Sequence, residues 1–364
     1  MATAHRPRAL ARAAVRSLAV ALLLGAACTS TTAGPPTTPA TAADGAPPAT
    51  VADASRATST PAAGGEPSPP VAAGSGAIVE VDPITMRVRR VVDLGDDPLL
   101  ATGAGGGVWV GLLSDARAVR VDPETGAATD AGVDEVVGVA GDGDDVWLAA
   151  EGSRLVRLDA ATGRVRATLD LADEPLFAPR NAGFVALGGR SVWLTVPERP
   201  DAPSGPQSLW RIDVASGSVR SRIAIPAEPF PPVGTDGALW FVAADEEVVV
   251  RVDARSERLR RIDVGGFPGP IAPGGGSVWV AHAGGIAALD PSSGRRRADL
   301  PFDDVIRGMA YADATLWVAT GTSLVAVDPR TGERRKSAVL SDPSGDEGPI
   351  GVVPLAGSIW VTVE

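Results

Sequence analysis

Seven tryptophans constrain what this chain can fold into. Trp109, Trp147, Trp193, Trp240, Trp279, Trp317 and Trp360 each follow an aliphatic residue and are separated by 38, 46, 47, 39, 38 and 43 residues. A second series keeps step with them: an aliphatic residue precedes each of Asp82, Asp122, Asp159, Asp213, Asp253, Asp290 and Asp328. Self-similarity with a period of about 40, carried by short alternating segments and glycine turns, specifies a ring of like sheets. The expected fold is all-β, a seven-bladed β-propeller with one four-stranded blade per repeat.

One repeat shows how a blade arises. After the inner strand at 136–140 and a glycine-acid turn come Val146-Trp147-Leu148-Ala149, then Leu155 to Asp159, then Ala160-Ala161-Thr162-Gly163, then Arg164 to Leu169. Apolar and polar residues alternate with a period of two on both sides of a tight turn, the pattern of antiparallel strands. Three residues after every repeat Asp stands a hydroxyl: Thr85, Thr125, Thr162, Ser216, Ser256, Ser293 and Thr331. A carboxylate there can accept backbone and hydroxyl hydrogen bonds, and the glycine that follows in five repeats suits a positive φ. Met86 and Glu257 take that place in the other two. The seven tryptophans are expected to pack between sheets. Trp210, outside the series, has the better claim to a special role.

The chain ends complete the count. The stretch from Ala77 to Leu94 supplies two strands without a Trp strand before them, and Gly351 to Glu364 supplies a Trp strand without an Asp hairpin after it. Together they make one blade, so residues 77–364 should form a ring closed by pairing of N- and C-terminal strands, which removes free sheet edges. Arginine runs at 87–90, 258–261, 295–297 and 334–336 fall on outermost strands, where charge protects an edge.

Residues 1–27 carry Arg6, Arg8, Arg12 and Arg16 without an acid, then an apolar run from Leu18 to Leu24 and the small residues Gly25 to Ala27, the pattern of an export signal. Leu-Leu-Leu-Gly-Ala-Ala-Cys resembles the lipobox of bacterial lipoproteins, with Gly25 where the pattern has Leu. The resemblance implies lipid modification of Cys28, the only cysteine, and a place on the extracytoplasmic face of the cell membrane; the alternative is plain secretion. Residues 28–76, rich in Ala, Thr, Pro, Ser and Gly, cannot bury enough apolar surface to offset their conformational entropy and are expected to be a disordered tether. The net charge is −11, becoming −15 once the four leader arginines are gone. That balance argues against nucleic acid and against direct docking on anionic lipid, leaving the membrane to the lipid anchor. A monomer is expected.

Propeller ligands usually bind where loops leading from one blade to the next meet those between second and third strands. The first set carries Asp96-Asp97, Asp134-Glu135, Asp173-Glu174, Glu228, Asp303-Asp304 and Asp346-Glu347. Phe177, Phe230, Phe267 and Phe302 accompany them, with Arg180, Asn181 and Arg307 as donors; the second set adds Glu151, an insertion at 198–207 and His282. The candidate mouth, built on Asp173, Glu174, Phe177, Arg180, Asn181, Phe230, His282, Asp304, Arg307 and Glu347, is acidic and flanked by aromatics. It suits a cation, small molecule, basic peptide or protein. His282 is the only histidine beyond the leader, so histidine metal sites and a Ser-His-Asp triad are poorly supplied, and neither metal nor cofactor is expected. Gly103 to Gly107 leads into a Trp strand and reads as a hairpin turn, not a phosphate loop.

The Val-Trp-Val-Ala units followed by Val-x-x-Val-Asp-Pro-x-Thr-Gly resemble YVTN and NHL propeller repeats, including relatives of streptogramin lyase, across 77–364. Leu158 to Gly163 also resembles the repeat of quinone-dependent dehydrogenases, whose eight blades, Trp after the Gly and adjacent-cysteine disulfide have no counterpart here. The lyases use histidines and a glutamate around magnesium; this chain offers His282. The reading is therefore a ligand- or protein-binding scaffold without turnover, the alternative a lyase-like enzyme using His282 and mouth carboxylates.

Overall fold

The structure, a computed structural model, describes residues 76–95, 97–112, 114–151, 153–171, 183–197, 207–226, 229–341 and 348–364. These form seven four-stranded antiparallel sheets. Their inner strands touch in sequence around the ring, and the inner strand at Pro349–Leu355 lies against that at Pro98–Ala104. The fold is the seven-bladed propeller that the repeat demands. We number the blades by chain order of their inner strands, calling the sheet shared by the two ends blade 1.

Blade 1 combines Pro349–Leu355 and Ser358–Val363 with Ala77–Val81 and Val88–Asp93. Ala77 to Val81 pair with Val363 to Ile359 on one side and with Asp93 to Val88 on the other. The ring is thus sealed by backbone hydrogen bonds between residues almost a whole chain apart.

Each tryptophan is the centre of one interface between blades. Trp109 of blade 2 packs on Val136, Val146, Leu148 and Leu158 of blade 3. Trp147 meets Val192 and Ile212 of blade 4, Trp193 meets Leu239 and Val252 of blade 5, and Trp240 meets Val278 and Leu289 of blade 6. Trp279 then enters blade 7, Trp317 enters blade 1 and Trp360 enters blade 2. Burying roughly 200 Å² of indole at about 25 cal/mol per Å² is worth up to about 5 kcal/mol at each interface before entropy is counted. Trp210 belongs to the same economy: it lies in the interface between blades 3 and 4, with Arg222 stacked 4.0 Å from its ring centre, so the special role expected for it reduces to packing.

Arginine extends this lock. Trp147, Trp193 and Trp240 sit opposite Arg157, Arg211 and Arg251 on the next strand, with guanidinium carbons 5.4 to 5.8 Å from the indole centres, within cation–π range. Arg251 Nε donates to the carbonyl of Pro291 at 3.0 Å, and the Trp109 indole N–H donates to that of Ala160 at 3.2 Å. Both acceptors directly follow the turn aspartate of the neighbouring blade.

The inner strands approach so closely that side chains are excluded at particular points. A Cβ at Gly234 would overlap the carbonyl of Leu187, and one at Gly308 would overlap that of Ile350.

Candidate functional site: the mouth and channel

Strand direction sorts the loops onto two ends. The inner strand of each blade runs from the mouth end to a hairpin turn at the opposite end; the second returns, and the third descends to the repeat aspartate. The aspartate turns therefore lie at the turn end, and the linkers between blades lie at the mouth.

At the turn end the repeat aspartates are satisfied locally. Asp159 Oδ1 accepts the Thr162 backbone N–H and hydroxyl, each at 2.8 Å. Equivalent bonds recur at Asp82, Asp122, Asp213, Asp253 and Asp290. An arginine seven residues on closes the turn from the outermost strand: Arg89 on Asp82, Arg166 on Asp159, Arg220 on Asp213, Arg297 on Asp290 and Arg335 on Asp328. These donors hold the carboxyls below the usual range, to about 2 at Asp82, Asp213 and Asp253, with the backbone N–H three residues on as the leading cause. Where glycine is absent, Met86 and Glu257 adopt the left-handed conformation at φ 58°. The Met86 side chain joins the interface of Trp317. Gly105 and Gly106 also have positive φ, and the 103–107 segment is a hairpin turn as expected.

The mouth end is built differently. Among its described carboxylates, Asp304 pairs with Arg334 at 2.7 Å and Glu135 with Arg154 at 3.4 Å. Asp134, Asp170, Glu247 and Asp303 make no ion pair among the described residues. Glu135 and Glu247 hold left-handed backbone at φ 61° and 53°, a conformation that costs non-glycine residues roughly 1 kcal/mol or more. Burial, and then the neighbouring Glu135, push the Glu151 carboxyl above its usual range. Asp115 and the run Asp245-Glu246-Glu247 add acids from loops between second and third strands. Sequence reasoning passed over them, although each run directly follows a Trp strand.

Several anticipated residues serve other ends. His282 has a side chain only 7% exposed; Nε2 lies 2.8 Å from Asp299 Oδ1 on the outermost strand and Nδ1 lies 3.1 Å from the Ala283 carbonyl. Its ring crosses the third strand at Gly285, so it points outward along the blade. Arg307, 8% exposed, reaches Glu364 at 3.2 Å and ties blade 7 to the closing strand. Phe302 is buried between blades 6 and 7 beneath Arg334. Phe230 is half-buried, and its N–H donates to Val242 O at 2.9 Å, extending the inner edge of blade 5. Asp173, Glu174, Phe177, Arg180, Asn181 and Glu347 lie outside the described residues, as does Cys28.

Behind the mouth a cavity of about 950 Å³ follows the inner strands of blades 2 to 6. Leu100, Ala101, Val139, Ala140, Ala186 and Leu187 line it, and its charged residues, Asp142, Asp145, Asp236 and Arg190, are gathered at the turn end. Asp145 is already engaged by Arg157 and Arg166. The rest of the cavity lining is uncharged. Among the described residues no group of three or more His, Cys, Asp or Glu is arranged to hold a metal ion.

No family model and no curated protein matches the chain. Among solved structures it is similar to a chain of the Mitotic Checkpoint Complex, at 12% identity and TM-score 0.56, covering 85% of this chain and 98% of that one. It is also similar to the computationally designed Ika8 protein, at 13% identity and TM-score 0.55, covering 80% and 92%. The likeness is one of fold alone. BamB from Moraxella catarrhalis matches more loosely, at 11% identity and TM-score 0.46 over 79% and 92% of the two chains, and supports no conclusion.

Proposed function

We propose that this protein is an exported propeller, of the YVTN and NHL repeat type and held at the membrane through Cys28, that binds a cationic ligand or a basic segment of a partner at its mouth without turning it over. One observation carries the reading: Asp134, Asp170, Glu247 and Asp303 at the mouth have no ion partner among the described residues, while the repeat aspartates of the turns are held by local donors. A rim that keeps its charge in a protein rich in arginine focuses potential outward and attracts positive partners. The raised Glu151 carboxyl supports the same view, because a neighbouring cation would relieve its repulsion by Glu135.

The test is binding of an oligolysine peptide to the full chain. Wild type should bind with an affinity that falls steeply with salt, and the triple variant Asp134→Asn, Glu247→Gln, Asp303→Asn should lose about tenfold or more. Equal binding by the triple variant would sink the acidic mouth. Anchoring is tested separately: the wild-type product should partition into detergent and carry acyl mass at Cys28, and Cys28→Ala should do neither.

A further inference from the structure

The turn end carries a feature that its local economy leaves unexplained. The residue five places after the repeat aspartate is arginine in four blades: Arg87, Arg164, Arg258 and Arg295. All four are exposed at the start of an outermost strand, and none has an ion pair or side-chain hydrogen bond among the described residues. In three of these blades the arginine two positions further on is bound to the turn aspartate. The free arginines therefore face no available carboxylate in their own turn. Arg255 and Arg330, inside two of the turns, are likewise exposed and without such a partner. Two of the most exposed large aliphatics stand beside this series: Ile84, 75% exposed, near Arg87, and Val165, 56% exposed, next to Arg164.

We propose that the turn end is a docking face for an anionic phospholipid bilayer. Because the turns belong to separate blades of one ring, their free guanidinium groups and aliphatic tips form a broad end surface. A bilayer can meet all of them at once; a linear polyanion can reach only a few. Basic residues interspersed with exposed aliphatics suit the interface between headgroups and acyl chains.

Net charge does not prevent this. Six-residue strands span about 20 Å, whereas charge is screened over about 8 Å at physiological salt. The unpaired acids of the mouth therefore act only weakly on a surface at the other end, and Asp304, which does reach Arg334 at the start of an outermost strand, is neutralised by it. Ala127, Ser218 and Glu333 take that place in blades 2, 4 and 7, Glu124 adds an acid to the turn of blade 2, and Asp144, Asp236 and Asp313 lie on the inner turns, so the free arginines of the series stand on blades 1, 3, 5 and 6. Docking by this face leaves the mouth pointing away from the membrane.

The experiment uses the full chain carrying Cys28→Ala, so that no acyl group contributes, and vesicles of phosphatidylcholine alone or with about one-third phosphatidylglycerol. Co-sedimentation at about 0.1 M salt should be strong only with the anionic vesicles. Adding Arg87→Gln, Arg164→Gln, Arg258→Gln and Arg295→Gln should weaken binding about tenfold or more at an unchanged melting temperature, and Ile84→Ser should weaken it severalfold. Should the quadruple variant melt early, Arg87→Gln and Ile84→Ser alone decide by the same comparison. Equal binding by variant and parent, or equal binding to neutral vesicles, would overturn the proposal. Capture of soluble polyphosphate as tightly as vesicles would also overturn it, reassigning the face to a linear polyanion. The triple mouth variant should bind vesicles normally, which separates failure here from failure of the mouth.

Discussion

The two ends of the ring are made from the same repeat and differ in how their carboxylates are used. At the turn end each repeat aspartate accepts backbone N–H groups and, in five blades, an arginine from the outermost strand. At the mouth, loops of unequal length present acids such as Asp134, Asp170 and Asp303 that no cation claims among the described residues. The difference teaches where stability and recognition reside. A carboxylate enclosed by donors stabilises its own fold and has little left to offer a partner; one left solvated costs little stability and keeps its field.

Breaking the frame beneath both ends should have the largest effect. Deleting Ser358–Val363 removes the strand paired with Ala77–Val81 and should lower Tm by about 10 °C or more, or abolish a single cooperative transition in calorimetry; unchanged melting would contradict closure. Trp360→Ala empties one interface around a fully buried indole and should cost about 3–5 kcal/mol in urea denaturation. The turn end alone is addressed by acid. Because Asp82, Asp213 and Asp253 have lowered carboxyls, their contribution is complete above the unfolded value of 3.8 and is lost as pH falls from there towards about 2. Replacing all three by Asn should flatten the Tm-against-pH curve in that window. Glu151 at the mouth should behave in the opposite sense. Glu151 is raised, so the fold favours its protonated form and its penalty grows as pH rises above 4.5; Glu151→Gln should raise Tm slightly at pH 7 and leave it unchanged well below pH 4.5. The smallest effect should come from His282→Asn, which loses the hydrogen bond to Asp299 and should shift stability by at most about 1 kcal/mol without altering peptide binding. Loss of binding there would return the histidine to the site.

The parts of the molecule legible in its sequence are those that repeat. The tryptophans occupy the same interface and the aspartates the same turn in every blade, so spacing sufficed to foretell sheets, turns and closure. The arginine seven places after Asp82, Asp159, Asp213, Asp290 and Asp328 repeats as well, yet in sequence it reads only as edge charge; its bond to the turn follows from the register of the fourth strand. What does not repeat was harder to read. The partner of His282 is Asp299, seventeen residues on and identifiable only once three strands are aligned. Arg307 finds Glu364 across the seam of the ring. Phe302, expected to flank the mouth, is drawn into the gap between two blades by the apolar faces there. Charge segregation is invisible in a net value, because successive turns of one sheet point to opposite ends.

The seam also determines how the protein bears load. The chain enters the ring at Ala77, on a strand bonded along its length to Ser358–Val363 on one side and Val88–Asp93 on the other. A pull transmitted through the N-terminus therefore runs along that strand and strains both ladders together, in shear, instead of peeling them one bond at a time. The strand through which the chain enters the ring is an interior strand of its sheet, and it should resist mechanical extraction better than any of the outermost strands.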